Sequence, residues 1–257
     1  MITAGRAVGE MGFSQKVRSI LQVAWIDFHG TAGGNPFYLL TPFIYPISVL
    51  LIMFLYTSWQ YIGVLLAGAV LYTAINAGIA VFSEVAAAKL YFKIQDLYVA
   101  SPTSPFVYCL GIGLSWFLIN FLAFLFYLLL AIFANNSSLL AIPVVLLMAL
   151  LLVFVLSCLS FFAGTHMSSD KDVFTLGSIF TFAIFLLSPV YYPITTLPAP
   201  LQYAAFIFPS TGPAVITHAA LGIVTLTQEF LLLAVANIVA YVLIALFAVK
   251  HAKWRES

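Results

Sequence analysis

Charge is what this sequence has least of. Asp, Glu, Lys and Arg make up 7% of its 257 residues, and hydrophobic residues make up 64%. A soluble domain carries about 25% charged residues, so an aqueous fold is excluded and the bilayer is the solvent. Cysteine is scarce as well. Cys109 and Cys158 both lie in apolar runs and read as free thiols rather than a disulfide framework. There is no Gly-x-x-x-x-Gly-Lys-Ser/Thr loop to cradle a nucleotide's phosphates. Nor is there a His-Glu-x-x-His, a Cys-x-x-Cys or a pair of intramembrane aspartates, and the middles of the apolar runs hold no ionisable residue. Proton-coupled transport and intramembrane proteolysis lose their usual equipment. No secretory signal opens the chain. The first apolar run starts near Phe37, lacks a small-residue cleavage site and is long enough to span.

A span needs about 20 apolar residues. Six stretches qualify, over about 37–57, 60–82, 106–134, 139–165, 173–190 and 230–249. Before them, Phe13, Val17, Ile20, Leu21, Ala24 and Phe28 recur at helical spacing, with Lys16, Arg18 and Gln22 elsewhere on the wheel. This predicts an amphipathic helix lying on an anionic leaflet, ended by Gly30, Gly33, Gly34 and Pro36. The chain thus divides into a tail with its interfacial helix (1–36) and a six-span domain (37–257). Asn135-Asn136-Ser137-Ser138 reads as a tight turn.

Basic residues set orientation, because they favour cytoplasmic loops. With the N-terminus inside, all 9 lysines and arginines are cytoplasmic, and the C-terminus is inside too. The stretch 191–228 holds no charged residue but carries Pro193, Pro198, Pro200, Pro209 and Pro213. A single further crossing there would move Lys250, Lys253 and Arg255 outside. The expectation is a re-entrant pair of short helices in the outer leaflet, broken near Pro209 and carrying His218.

The longest charged island is 83–100. Leu90, Tyr91, Ile94, Leu97 and Tyr98 share one helical face, Lys89, Lys93 and Asp96 another, and Pro102 and Pro105 end the helix. Two polar stripes mark the spans. Tyr61, Leu65, Gly68, Tyr72 and Asn76 share a face of the second, and Thr175, Ser178, Thr181, Phe185 and Ser188 a face of the fifth. Such stripes serve helix packing or line a path for an amphiphile.

Two separated stretches carry a resemblance. Ala100-Ser101-Pro102-Thr103-Ser104-Pro105, followed by Tyr108 and Gly111, resembles the cytoplasmic signature of type-2 exporter permeases of ATP-binding-cassette transporters. Ser188-Pro189-Val190-Tyr191-Tyr192-Pro193, then Leu197-Pro198 and Pro209, resembles that family's segment after the fifth span. The resemblance implies an all-α polytopic membrane protein that forms the pathway as a dimer in a prokaryotic plasma membrane. It implies no catalysis on this chain and no cofactor of its own, with ATP and Mg on a separate ATPase subunit. Under it, 83–100 is the coupling helix, with Glu84, Lys89, Lys93, Asp96, Ser101 and Pro102 toward the ATPase. Tyr72, Asn76, Thr175, Ser178, Thr181 and Phe185 line the path. Pro193, Pro198, Pro209 and His218 belong to an outer lid. The cargo is hydrophobic or amphiphilic, a drug or a lipid. An ATP-independent channel or carrier, and a membrane assembly subunit that moves nothing, stay open as alternatives.

Overall fold

The computed structural model describes residues 12–56, 61–90 and 103–253. Among the described residues there is no strand. Nine α-helices follow in order among the described residues: α1 (Phe13–Phe28), α2 (Thr41–Tyr56), α3 (Ile62–Leu90), α4 (Pro105–Asn135), α5 (Ala141–Thr165), α6 (Asp170–Leu186), α7 (Ala199–Ala204), α8 (Thr211–Ala220) and α9 (Gln228–Lys250). Five helical stretches among the described residues are long and apolar enough to cross a membrane: Pro36–Met53, which includes most of α2, and α3, α4, α5 and α9.

The expected fifth span differs. It begins at Asp170, where Ser169 caps the helix by accepting from the Asp172 N–H, and it stops at Leu186 rather than near residue 190. Pro189 explains the early stop, since it has no N–H to give and disfavours helix at Ser188. At 17 residues α6 is about 25 Å long, short of a hydrocarbon core of about 30 Å.

The core forms around α3, which packs along both α4 and α5. Its inner faces are small: Ala67, Ala69, Ala74 and Ala77 are all at most 1% exposed. Without a water-driven force between helices, close approach of small residues supplies the packing. At Gly78 an added Cβ would stand 2.4 Å from Leu156 Cβ of α5, so only glycine permits this approach. α1 docks on α4 in the same way, a Cβ at Gly111 falling 2.5 Å from Val23 Cβ. Val23 and Ala24 are buried, while Phe13, Leu21, Trp25 and Ile26 face outward.

Hydrogen bonds identify the two ends of the bundle. At one end Lys89 Nζ donates to the carbonyls of Thr165 (2.9 Å) and Met167 (3.3 Å), and the Lys253 N–H donates to Thr165 Oγ1. The ends of α3, α5 and α9 therefore meet there, each with a lysine close by. At the other end the predicted turn forms as expected. Asn136 takes the left-handed conformation that ends α4, and Ser137 Oγ donates to the Leu221 carbonyl after α8.

Between α6 and α9 the proline-rich stretch folds as two short helices, α7 and α8, interrupted at Pro209. The freed backbone is satisfied by protein. Asn237 of α9 donates from Nδ2 to the carbonyls of Phe206 and Phe208, and Tyr241 Oη donates to that of Ile207. Asn237 lies about 14 Å along α9 from its Gln228 end.

Candidate functional site

The polar stripes on α3 and α6 face one another across an open groove of about 640 Å³. Tyr72, Asn76 and Ser83 line it from α3, Gly177, Ser178 and Thr181 from α6, with Tyr38, Thr41 and Trp116 on the remaining sides. Each helix can carry hydroxyls in apolar surroundings because they bond to their own backbone. Thr181 Oγ1, which lines the groove, donates to the Gly177 carbonyl at 2.8 Å. Asn76 is held by a neighbour: its Nδ2 donates to Asn120 Oδ1 at 3.1 Å, and Asn120 Nδ2 donates to the Trp116 carbonyl at 2.8 Å.

An aromatic cluster stands beside the groove. Tyr45 of α2 stacks on Tyr72 with ring centres 4.6 Å apart. Phe185 meets both edge-on, at 5.1 and 5.7 Å, and contacts Tyr191 at 5.0 Å. Tyr191 in turn lies over Gly68, where a Cβ would fall 2.5 Å from its ring. The cluster therefore links α2, α3 and α6 to the start of the proline-rich stretch.

Four of the residues singled out from sequence, Tyr72, Asn76, Ser178 and Thr181, meet in one groove, and Phe185 joins them through its ring contacts. Thr175 does not. It is exposed, and its Oγ1 donates to the Lys171 carbonyl. Pro193 and Pro198 stand just before short helical turns, and Pro209 is at the break. His218 is fully buried on α8, its Nε2 donating to the Val190 carbonyl at 3.2 Å. Burial pushes its imidazole down to about 4.

The charged island divides. Its first part, through Leu90, continues α3 without a break, so Glu84 and Lys89 sit on the same helix as Tyr72 and Asn76. Lys89 caps the end of α5. Glu84 lines a second cavity, of about 580 Å³, between α1, α3 and α4. Asp27 of α1 lines it too. Lys93, Asp96, Ser101 and Pro102 lie outside the described residues.

Sequence reasoning passed over Asn120, Trp116, Tyr45, Asn237 and Asp27. Asn120 and Asn237 had a signal: each is a lone carboxamide inside an apolar span, and such a group needs an internal partner. Among the described residues no group of three His, Cys, Asp or Glu is placed to hold a metal ion.

No curated protein matches the chain. The family model described as ABC-2 type transporter matches residues 19–214, from within α1 to within α8, and so takes in the groove, the aromatic cluster and both carboxylates of the second cavity. With its apolar helices and a match over most of its length, the chain belongs to the ABC-2 type transporter family, as a membrane-spanning permease.

Proposed function

We propose that this chain is the membrane half of an ATP-driven exporter, working as a dimer with a separate ATPase chain that carries ATP and Mg. The observation that carries this reading is the convergence of Tyr72, Asn76, Ser178 and Thr181 on one open groove between α3 and α6. A groove with hydroxyls and carboxamides on one side and aromatics beside it suits an amphiphilic or hydrophobic cargo. A second copy across its open side would turn the groove into a central path.

In this reading α6 counts as a sixth crossing, both termini are cytoplasmic, and the membrane is a prokaryotic plasma membrane. The lysine-bearing end where α3, α5 and α9 meet is the cytoplasmic one, in keeping with the positive-inside rule. α7 and α8 form an outer lid that dips toward the middle of α9. Residues 83–100 couple to the ATPase, with Lys93, Asp96, Ser101 and Pro102 toward the partner. Glu84 and Lys89 belong to α3 itself, where Lys89 fastens the helix to the end of α5, and α3 joins the coupling segment directly to the groove. A push on 91–100 is then transmitted along one helix to Tyr72 and Asn76, and two packings of α3 against α6 form the bistable element.

A mild-detergent pull-down of the tagged chain, with mass spectrometry, tests the partnership. A stoichiometric ATPase bearing a P-loop is expected, and the reconstituted pair should move an amphiphile only with ATP. A chain that comes down without any nucleotide-binding partner, or that transports along a gradient without ATP, overturns the reading.

A further inference from the structure

The groove is not the only cavity with chemistry in it. The one between α1, α3 and α4 holds about 580 Å³, the size of a small-molecule site. Asp27 and Glu84 both line it, with Tyr38, Tyr108 and Trp116 as aromatic walls and Val23, Ile26 and Ile112 as apolar ones. Among the described residues, no lysine, arginine or histidine lines it.

Polar atoms around this cavity lack partners. Asp27 Oδ2 and Trp116 Nε1 are both buried without a hydrogen bond. Ser115 is fully buried beside Asp27, its hydroxyl within reach of that carboxylate. Two carboxylates lining one half-open, largely apolar cavity cannot both ionise cheaply unless a cation lies between them. Burial already holds the Asp27 carboxyl above its ordinary value. A cation flanked by aromatic faces gains further from their negative ring faces.

We propose that this cavity binds a hydrophobic organic cation, its charge between Asp27 and Glu84 and its apolar body against Trp116, Tyr108 and Ile112. Position supports the assignment. Tyr38 and Trp116 line this cavity and the groove alike, so the two spaces share a wall. α1 carries an outward apolar face, as a helix at the membrane surface does, which places the cavity at headgroup level. A molecule held here stands next to the path it would enter. The same chemistry, a cationic head on an apolar body, is found in a free amphiphilic cation and in a lipid with an amine headgroup.

Only the use of the site rests on the exporter reading. Binding itself needs no ATPase, so either idea can fail without the other. The test is equilibrium dialysis of tritiated tetraphenylphosphonium against the full chain in maltoside micelles. Saturable binding is expected, weakened about tenfold by Asp27→Asn or by Glu84→Gln, the loss of one close charge interaction. Glu84→Asp should restore most of it. Affinity of the unaltered chain should rise with pH, as the cation replaces the proton that burial favours on the Asp27 carboxyl. Adding phosphatidylethanolamine separates the sources: displacement of the probe makes the ligand the lipid amine, and retention makes it a free cation. Absent binding, or binding indifferent to pH, overturns the proposal even where a variant fails to purify. Affinity in both neutral variants equal to that of the unaltered chain overturns it as well.

Discussion

Asn237 Oδ1 accepts a hydrogen bond from the Gly212 N–H at 3.1 Å, fastening the start of α8 to the middle of α9. The same carboxamide donates to the Phe206 and Phe208 carbonyls at 2.7 and 3.2 Å, so one side chain satisfies three backbone groups freed by the break at Pro209. A Cβ on Gly212 would stand 2.7 Å from both Asn237 Oδ1 and the Ala234 carbonyl. Asn237→Leu should therefore cost about 1–3 kcal/mol for each buried group left unpaired. Gly212→Ala should cost a comparable amount by forcing the helices apart. Thermal unfolding of the purified chain in detergent measures both, and an unchanged midpoint in either variant would contradict this role.

His218 makes stability depend on pH. Its imidazole, ordinarily near 6.5, is held at about 4 by burial, and the Val190 carbonyl that accepts from Nε2–H opposes this only in part. Between those values the unfolded chain binds a proton that the folded chain does not. Stability is therefore full above about pH 6.5, falls as pH drops toward 4, and levels off below. A shift of this size corresponds to about 3 kcal/mol. His218→Gln, which cannot be charged, should flatten that limb of the unfolding midpoint against pH. A limb of the same slope in the variant would assign the effect to another group.

Lys89 shows where reading the sequence ends. Its place among charged neighbours in 83–100 suggested a face turned to a partner. In the fold its ammonium closes the end of α5 instead. Nothing in the sequence announces that, because the Thr165 and Met167 carbonyls it meets are more than 70 residues away. Local signals did better. Glycine and proline after Phe28 and the break at Pro209 were placed, apolar length placed α3, α4, α5 and α9, and the spacing of Tyr72 with Asn76 and of Ser178 with Thr181 placed one face on each of two helices. That these faces meet depends on how α6 packs on α3, which no local pattern encodes. The pairing of Asp27 with Glu84 was hidden for the same reason. Glu84 stood out only within the charged island and Asp27 not at all, and only the docking of α1 at Gly111 brings them to one cavity.

Lys89→Met should lower stability by about 0.3–1 kcal/mol, the usual worth of a cation at a helix C-terminus. It should leave ATP turnover coupled to transport in the permease–ATPase complex. Ile94→Asp should do the reverse, uncoupling turnover from transport while the chain stays in the membrane. If Lys89→Met uncouples at unchanged stability, Lys89 acts on the partner and its cap is secondary.

The groove allows its two roles, packing and passage, to be separated on a single helix. Thr181 and Thr175 both bond back to their own helix, to the carbonyls of Gly177 and Lys171, each at 2.8 Å. Thr181 lines the groove and Thr175 does not. Replacing either by valine removes the same hydroxyl and keeps the same shape, so the structural cost is matched. Interhelical polar contacts in membranes are worth only about 0.6 kcal/mol, so neither change, nor Asn76→Leu, should prevent assembly. If cargo passes along the groove, Thr181→Val and Asn76→Leu should shift the KM for a transported amphiphile by about tenfold, the scale of a single polar interaction made or broken in a binding site. Thr175→Val should not move it. Substrate-stimulated ATP turnover of the reconstituted complex reads all three. Equal shifts at Thr181 and Thr175 would mean that the stripe acts through the helix as a whole, and the groove would then be a packing surface rather than a path.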